Sequence, residues 1–471
     1  MDFRDFTVAE IADGIRSGAR SAEAVARSTL ARIDAEGGRL NAFVALAPAE
    51  TVLAEARAVD ACVARGEDPG PLAGVPVGVK DIEDVRGLVT SYGSALFTDG
   101  PPAQRDSVLV ARMRAAGAVV IGKTNTPEFG CKGVTDNPVF GATVSPWAPD
   151  RSPGGSSGGA AAALAAGLVP LATGSDGGGS IRIPAANCGH AGFKASQGRV
   201  PLADPSAPTT GLLAVRGPMA RTVRDTVLVL DAVRGDDPRD VFALPHDDYS
   251  WLAAFDERRL PMKAIWAPTL GFAEIDAEVL RVCEAAVGRL AEAGVEIVER
   301  EALLAPHPLD AWWTLWTAAM ARRLGERTAA ADVARIDPPL QEMIEDGARL
   351  SAADYARAVD ACHACNLQLE AAFEETLFPD APLVLAPTCA GRVPRLGDTG
   401  RLGGRETAAW VEMTCAFNLA RSPVATVHAG CDGEGLPVGL QVIGRQRGDV
   451  DVLCAAGCFE DVLGGPGRAP F

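Results

Sequence analysis

The sequence predicts an α/β fold in a single large domain. Helical patterns alternate with short apolar strand patterns in both halves of the 471-residue chain, which is typical of sheets with at least some parallel strands. The composition, 48% hydrophobic and 22% charged, is that of an ordinary globular protein. No internal repeat or linker-like segment divides the sequence, and a chain of this length can bury a large core.

The N-terminal 65 residues are predicted to be helical. Thr7 and Glu10 form a capping-box pattern that opens a short first helix. Two further helices, rich in Ala, Arg and Glu, are expected from Ser21 onward and over 48–65. A loop that enters a strand follows over 72–79.

The next part of the chain continues the alternation and then changes composition. A helix is expected over 106–116 and a strand over 118–121. Between 137 and 217 the chain is rich in Gly, Ser and Pro and poor in charge, which is typical of a flexible linker. Apolar runs at 160–166 and 168–172 interrupt this segment. They indicate backbone packed tightly inside a core instead.

The C-terminal half contains a second alternating unit and a long helical segment. Helices are predicted over 222–235 and 276–293, whereas 236–260 is polar and shows no clear period. Strands are predicted over 263–267, 295–298, 383–386, 424–427 and 438–443. Residues 309–376 are helical in pattern, and their Trp312, Trp313 and Trp316 fit either the core or the wall of a pocket.

The charge and the cysteines limit the classes of partner. A net charge of −17 without a basic block argues against a nucleic-acid partner or an anionic membrane surface. The longest apolar stretch, 160–172, contains Gly167 and Pro170 and is shorter than the ~20 residues that a membrane helix needs. The first residues lack a signal-peptide pattern and the eleven cysteines are scattered singly. We therefore expect a cytoplasmic protein with reduced thiols.

Lysine is rare, which makes its positions informative. Only five of the 44 basic residues are lysines: Lys80, Lys123, Lys132, Lys194 and Lys263. An arginine inside a protein keeps its proton, whereas a buried lysine can lose it. The lysines are therefore candidates for acid–base chemistry.

Residues 117–124 fit the phosphate-binding P-loop pattern G-x4-G-K-[ST], with Gly117, Gly122, Lys123 and Thr124 at the specified positions. A P-loop needs its strand before the first glycine. Here a helix precedes Gly117, and the residues between the glycines are Ala-Val-Val-Ile, which favour a strand themselves. The pattern favours a helix, a C-cap glycine and a strand, with a nucleotide-binding protein as the alternative.

A second motif, Gly155-x-Ser157-x-Gly159, fits the nucleophile elbow of α/β-hydrolases. That elbow needs an apolar strand directly before it, whereas 147–153 has the pattern of a loop with two prolines. It also needs a histidine, and the chain offers His190, His246, His307, His363 and His428. A His-dependent hydrolase that uses Ser157 therefore stays an alternative.

Cys362 and Cys365 have CxxC spacing within a helical pattern. A second cysteine pair at zinc-finger distance is missing, and the segment lacks the context of a redox helix. Buried helix cysteines are therefore expected, and we expect neither a metal nor an organic cofactor.

Two other segments together predict a hydrolytic site. Lys80 ends an apolar strand pattern, where burial would lower its pKa and leave a neutral amine able to act as a base. Glycines 177–179 place consecutive N–H groups beside Ser180, as an oxyanion hole requires. Ser180 begins a segment that can form a helix, whose dipole also favours negative charge. The alternative is a purely structural role, in which the glycines form tightly packed turns and Lys80 forms an ion pair with Asp81.

Together with the glycine- and serine-rich block 154–159, these residues closely resemble the amidase signature family of serine hydrolases. The likeness runs from about Leu72 to Arg224 and includes segments 123–129, 137–141, 146–147 and 217–221, with weaker matches at 386–388, 417–419 and 435–441. The resemblance implies one amidase domain over 1–471, with a mixed, twisted central β-sheet flanked by helices on both sides. It also implies that segment 309–376 contributes to the substrate pocket.

The resemblance implies a role for each matching residue. Ser180 would be the nucleophile, Ser156 the bridging serine after a cis peptide bond, and Lys80 the base. The backbone N–H groups of Gly177, Gly178, Gly179 and Ser180 would form the oxyanion hole. Asp176 and Arg182 would brace this loop. The acyl side of the pocket would be lined by Gly130, Cys131, Ser157 and Ser175.

The expected reaction is hydrolysis of a carbon–nitrogen amide bond through an acyl-enzyme on Ser180, with activity rising toward alkaline pH. The aromatic stretch 312–316 favours a small apolar or aryl amide, and three glycines at 177–179 are expected to open the loop slightly. The alternatives are a carbamate or ester hydrolase, a non-catalytic relative, and a glutamine-dependent amidotransferase A-type subunit. The expected partner is a small-molecule amide, and a homodimer is one candidate oligomeric state.

Overall fold

The computed structural model of the protein describes residues 1–202, 213–325, 334–375 and 382–471. Parts of two predictions therefore lie outside the described residues. These are positions 203–212 of the region that resembles the amidase signature, and positions 326–333 and 376 of the predicted helical segment.

The first half of the chain contains seven α-helices among the described residues. They are α1 (Val8–Arg16), α2 (Ala22–Leu40), α3 (Ala49–Ala64), α4 (Val108–Ala115), α5 (Gly158–Ala165), α6 (Arg182–Cys188) and α7 (Val223–Val233). Those of the second half are α8 (Trp251–Asp256), α9 (Ala277–Glu292), α10 (Leu309–Leu324), α11 (Pro338–Ala348), α12 (Ala352–Glu375), α13 (Ala416–Leu419) and α14 (Asp449–Leu463).

The strands belong to two larger sheets and one short hairpin. In chain order they are β1 (Phe43–Leu46), β2 (Pro76–Lys80), β3 (Val119–Thr124), β4 (Leu171–Asp176), β5 (Gly192–Lys194), β6 (Val215–Ala220), β7 (Lys263–Trp266), β8 (Glu296–Glu299), β9 (Leu383–Pro387), β10 (Arg401–Leu402), β11 (Arg405–Glu406), β12 (Val424–Cys431) and β13 (Pro437–Gly444).

The first sheet has the order β1-β3-β2-β4-β6. Its three central strands are parallel and its two edge strands antiparallel. Strand β3 pairs with one side of β2 and β4 with the other, so the chain changes direction across the sheet at β2. Ligands of α/β proteins bind at the carboxyl ends of strands beside such a switch point.

The second sheet has the order β5-β12-β13-β9-β7-β8 and is also mixed. Its edge strand β5 contacts β6, the edge strand of the first sheet. The predicted single α/β domain with mixed strands flanked by helices is thus confirmed. Instead of one central sheet, hydrogen bonding divides the described strands among two larger sheets and the hairpin β10–β11.

Most predicted elements are present within two or three residues of their expected ends. Thr7 and Glu10 form the capping box of α1, and the pattern 117–124 is a helix end, a glycine and strand β3. Part of the Gly- and Ser-rich segment 137–217 is packed in the core as expected, since residues 151–196 are all buried except Gly178 and Ser180. Residues 137–150 are less buried, and Pro138, Gly141, Pro149 and Asp150 are exposed.

Several elements differ from the prediction. The N-terminal region is not wholly helical, because β1 separates α2 from α3. Its four residues are half-buried or exposed, so they lack the buried apolar run that indicates a strand. Strands β5 and β6 and helices α8 and α14 were not predicted. The two strands contain glycine or proline, which weaken a strand pattern.

None of the helices within the described ranges is long and apolar enough to cross a bilayer.

Candidate active site

Two parallel central strands, β2 and β4, place the predicted base and the predicted nucleophile near the carboxyl ends of the strands of the first sheet. Lys80 is the last residue of β2, and Asp176 is the last residue of its neighbour β4. Because the carboxyl ends of parallel strands meet at the same edge, the segment that follows Asp176 and contains Ser180 lies beside Lys80. The two residues therefore lie at the switch point described above, where β3 and β4 flank β2 on opposite sides.

The Lys80 amine is buried and surrounded by hydroxyl groups. Its Nζ lies 2.7 Å from Ser156 Oγ, 2.9 Å from Ser157 Oγ and 2.9 Å from Ser175 Oγ. No carboxylate of the described residues forms an ion pair with it; Asp81, the alternative partner, pairs with Lys123 instead. The amine is therefore placed to exchange protons with neutral hydroxyls.

Burial lowers the pKa of Lys80 well below its ordinary value. The positive charge of Arg216 acts in the same direction, and the negative charges of Asp176 and Glu83 offset part of the effect. The largest cause is the loss of hydration of the charged ammonium form. A neutral amine is the form that can accept a proton.

Ser157 and Ser175 do not have the predicted position. Both are buried, both hydroxyls face Lys80, and neither lines the large cavity of the site. The Ser157 hydroxyl lies 3.4 Å from the Ser175 carbonyl oxygen. The expectation that they line the acyl side of the pocket is therefore replaced by a role in holding Lys80.

The segment before α5 places Ser156 between Lys80 and the cavity wall. The Gly155–Ser156 peptide bond is cis. A Cβ atom at Gly155 would lie 2.6 Å from the Val134 carbonyl oxygen, so the close approach of these two backbones requires glycine. The Ser157 N–H donates to the Ser180 carbonyl at 3.1 Å. This bond ties the segment to the predicted nucleophile.

Ser180 lies where the buried segment meets the cavity. It lines the cavity together with Gly178, Gly130 and Cys131. Ser156 Oγ is directly behind this wall, 3.1 Å from the position that a Cβ atom of Gly130 would take. The predicted pocket positions of Gly130 and Cys131 agree with this arrangement.

One of the four predicted oxyanion-hole donors is already engaged. The Gly179 N–H donates to Asp176 Oδ1 at 2.8 Å. The N–H groups of Gly177, Gly178 and Ser180 have no acceptor among the described residues. Three amides rather than four are therefore free to bind an oxyanion, because the carboxylate of the bracing residue occupies the fourth.

Asp176 and Arg182 form the expected brace, and both side chains are fully buried. Arg182 Nε and Nη2 each lie 2.9 Å from an Asp176 carboxylate oxygen. The remaining Arg182 N–H groups bind Thr414, Asn418 and Gln441 from the second half of the chain. The guanidinium charge and its hydrogen bonds hold the pKa of Asp176 far below its ordinary value, against the effect of burial.

The cavity has a volume of about 380 Å³ and mostly apolar walls. Its aromatic side chains are Trp312, Trp313 and Trp316 of α10 and Trp410. The tryptophans of the predicted helical segment therefore line a pocket beside Ser180. The rings of Trp312 and Trp316 are stacked, with centroids 5.5 Å apart.

The three glycines do not open the loop. A Cβ atom at Gly177 would lie 2.7 Å from the Trp316 ring, and one at Gly178 would lie 2.6 Å from the Trp312 ring. The volume left by the missing side chains is therefore filled by the two indoles. This corrects the expectation of a wider loop.

The other motifs have structural roles. Lys123 is buried in strand β3, where it binds the Glu83 carbonyl and pairs with Asp81, so the P-loop alternative is wrong. Among the described residues, the Ser157 hydroxyl has no histidine partner, and it contacts Lys80 and Ser175 instead. This contradicts the nucleophile-elbow alternative.

Cys362 and Cys365 are buried free thiols in α12, as expected for helix cysteines. Burial raises the pKa of Cys365 to about 11. Both therefore stay protonated at neutral pH.

The sequence does not predict several residues of the site. Trp410, Ile183 and Met343 line the cavity, and Thr414 contacts the Gly178 carbonyl. Asn418 and Gln441 fall within the weaker matches to the family, which indicated importance but no role. These residues lie in segments that are far apart along the chain, and no sequence pattern indicated that the segments come together in the fold.

Comparison with known proteins places the chain in a family. The model of the Amidase family matches residues 24–453. An acylamidase of Rhodococcus erythropolis is 34% identical over 96% of this chain and 94% of its own length. The A-type subunit of the glutamyl-tRNA(Gln) amidotransferase of Moorella thermoacetica is also 34% identical, over 98% of this chain and 97% of its own.

Solved structures agree with these relatives. A bacterial aryl acylamidase of the amidase signature family superposes with a TM-score of 0.89 at 29% identity, over 97% of this chain and 96% of the other. The chain belongs to the amidase signature family, and it is a hydrolase that acts on amides.

Proposed function

We propose that the protein hydrolyses small apolar or aryl amides through an acyl-enzyme on Ser180. The observation that carries this proposal is the buried Lys80 amine, which lies 2.7 Å from Ser156 Oγ and has no carboxylate partner among the described residues. A base of this kind can activate a serine without histidine.

In the acylation step, neutral Lys80 accepts the Ser156 hydroxyl proton and Ser156 Oγ accepts the proton of Ser180. Ser180 Oγ bonds to the amide carbon, and the resulting oxyanion is held by the free N–H groups of Gly177, Gly178 and Ser180. The carbon–nitrogen bond then breaks as Ser156 protonates the leaving nitrogen and Lys80 returns its proton to Ser156.

Deacylation repeats the relay with water as the nucleophile. Water gives a proton to Ser156 and its oxygen attacks the acyl carbon. The Ser180 ester bond breaks, Ser180 recovers its proton and a carboxylic acid leaves. The products are one acid and one amine for each amide and water consumed.

The lining of the cavity supports an apolar or aryl substrate. Four tryptophans and Met343 are among its lining residues, and the lining is mostly apolar although Lys132, Glu342 and Glu412 also contribute to it. Aromatic surfaces favour rings and alkyl chains over a polar amino acid. The similar acylamidase and aryl acylamidase favour the same class of substrate.

The activity of a glutamine-dependent amidotransferase is the second candidate, since the A-type component of such an enzyme is equally similar in sequence. Carbamates and esters would fit the same chemistry. These alternatives are distinguished by rate. Purified protein is assayed with anilides, fatty amides, amino-acid amides, carbamates, esters and free glutamine, and an anilide is expected to give the highest kcat/KM. Preferred hydrolysis of glutamine with ammonia transfer would overturn the proposed substrate class.

The nucleophile is tested by mass spectrometry of the protein quenched during turnover of an activated anilide. An acyl group is expected on Ser180, and Ser180→Ala should show no adduct and essentially no turnover. The matched control is Ser422→Ala, which should keep full activity. Ser422 is a buried serine, and its hydroxyl has no hydrogen-bond partner among the described residues. An acyl group on any other residue would contradict the mechanism.

A further inference from the structure

Residues 176–180 are called the oxyanion loop below. The first three carbonyl groups of this loop each accept a hydrogen bond from a side chain. The Asp176 carbonyl accepts from Asn418 Nδ2 at 3.0 Å. The Gly177 carbonyl accepts from Trp312 Nε1 at 2.7 Å. The Gly178 carbonyl accepts from the Thr414 hydroxyl.

These bonds fix the direction of the amides on the opposite side of the loop. The peptide bonds of this loop are trans, so the C=O and N–H of one peptide unit point in opposite directions. Holding the Gly177 carbonyl therefore orients the Gly178 N–H. This N–H is one of the three that have no acceptor among the described residues, and Gly178 lines the cavity beside Ser180.

We propose that Trp312 is a positioning residue for catalysis, whose indole N–H aims the Gly178 amide at the oxyanion. The inference rests on the proposed acyl-enzyme. It goes beyond that proposal because it gives Trp312, a residue of the pocket wall, the role of orienting a donor for the oxyanion of the transition state. If Trp312 only filled space in the pocket wall, its aromatic ring would be needed but its indole N–H would not.

The neighbouring tryptophans allow a comparison within the same cavity wall, and Trp251, which lies outside that wall, provides the control. Trp316 stacks on Trp312 and packs against Gly177, yet its Nε1 has no partner among the described residues. Trp313 lines the same cavity, but its Nε1 lies 3.2 Å from Asp346 and not from the loop. Replacing each tryptophan by phenylalanine removes an indole N–H, and only at Trp312 does that N–H hold the loop.

The first measurement is steady-state kinetics with an anilide. Trp312→Phe is expected to lower kcat by about tenfold to a hundredfold, since a misaimed donor loses much of the stabilisation that a removed donor loses. KM should change by less than about threefold. Trp313→Phe and Trp316→Phe also alter the cavity wall, and they should lose clearly less kcat than Trp312→Phe. Trp251→Phe removes an indole N–H that donates to Asp247 at 3.0 Å, away from the cavity, and should keep kcat within about threefold of the unchanged protein. A kcat for Trp312→Phe within about twofold of the unchanged protein, or equal losses in the three variants of the cavity wall, would overturn the proposal.

The second measurement separates orientation from pocket shape. An aryl trifluoromethyl ketone adds to the serine and forms an oxyanion, whereas the corresponding secondary alcohol binds without forming one. Trp312→Phe should lose affinity for the ketone by the same factor as kcat and keep its affinity for the alcohol. A parallel loss for both compounds would show that the indole only shapes the pocket and would overturn the proposal.

Two further arms keep the outcomes distinct. If Trp312→Phe fails to fold, incorporation of 3-benzothienylalanine at position 312 keeps the ring shape without the N–H, and the same kinetic loss is expected. If the unchanged protein forms no ketone adduct at Ser180, the proposed function itself fails and this inference falls with it. An adduct in the unchanged protein with no selective loss in the variant overturns the inference alone.

Discussion

The three hydroxyl groups around Lys80 are not equivalent. A neutral amine donates two hydrogen bonds and accepts one. The Ser157 hydroxyl has a backbone acceptor in the Ser175 carbonyl, so its oxygen is free to accept from Lys80. Ser156 has the shortest contact with Nζ, at 2.7 Å. This arrangement favours Ser156 as the hydroxyl that gives its proton to the amine.

Replacement of Lys80 tests the requirement for a base that can be neutral. Lys80→Ala should lower kcat/KM by about 10²- to 10⁴-fold, the usual contribution of general acid–base catalysis. Lys80→Arg should not restore activity, because guanidinium keeps its proton. Anilide kinetics measures both, with Lys263→Ala as a control distant in sequence that should keep full activity. Substantial activity in the arginine variant would disprove the assignment of the base.

The pH dependence follows from the lowered pKa of Lys80. In the proposed mechanism the neutral amine is the active form, so the rate should rise as the pH passes upward through this pKa and then level off. Since burial lowers the pKa, the rise should end well below the value of about 10.4 for an exposed lysine. The measurement is kcat/KM against pH with acylation rate-limiting. A rise that begins only near pH 10 would contradict the neutral buried amine.

At the scale of elements, helix α10 and the loop after β4 are complementary in volume. Trp316 occupies the space that a side chain at position 177 would need, and it is itself only 6% exposed. The aromatic helix and the glycine-rich loop therefore depend on each other, although they lie in different halves of the chain.

A pair of substitutions tests this complementarity. Gly177→Ile should abolish most of the activity and lower the midpoint of thermal unfolding, because the new side chain collides with the Trp316 ring. Adding Trp316→Leu should recover a large part of both, since it frees the required volume. Activity and Tm are measured for both single variants and for the double variant. Additive losses in the double variant would show that the two positions do not share this space.

At the scale of the whole molecule, the Asp176–Arg182 pair joins the two halves of the chain. Arg182 contacts Thr414, Asn418 and Gln441, all more than two hundred positions away. Removing one partner of a buried pair leaves an uncompensated charge, which costs about 3–5 kcal/mol. The brace thus contributes to the stability of the fold as well as to the oxyanion loop.

Arg182→Met should lower the free energy of unfolding by about 3–5 kcal/mol and abolish activity, as measured by urea denaturation and anilide kinetics. Arg349→Met is the control, since Arg349 forms exposed ion pairs with Glu345 and Asp346; it should cost less than about 1 kcal/mol. Equal losses in the two variants would contradict the structural role of the buried pair.

Much of the fold was predictable because its elements have local patterns. The capping box of α1, the helix–glycine–strand unit 117–124 and the tryptophan-rich helix follow from short stretches of sequence. Strand β1 was missed because it is short and half-exposed. The C-terminal helix α14 is rich in buried residues on several sides, so it lacks the single apolar face that marks an amphipathic helix.

The sequence by itself determined the family and indicated Lys80, Ser156 and Ser180 as the candidate catalytic residues, because both depend on residue chemistry and on motifs within a few positions. Only the tertiary structure decided which amides are free, which hydroxyls surround Lys80 and which ring fills the space over Gly177. The bond from Trp312 to the Gly177 carbonyl joins residues 135 positions apart. Contacts of this kind arise when the folded chain brings distant segments together, and no local pattern of residues specifies them.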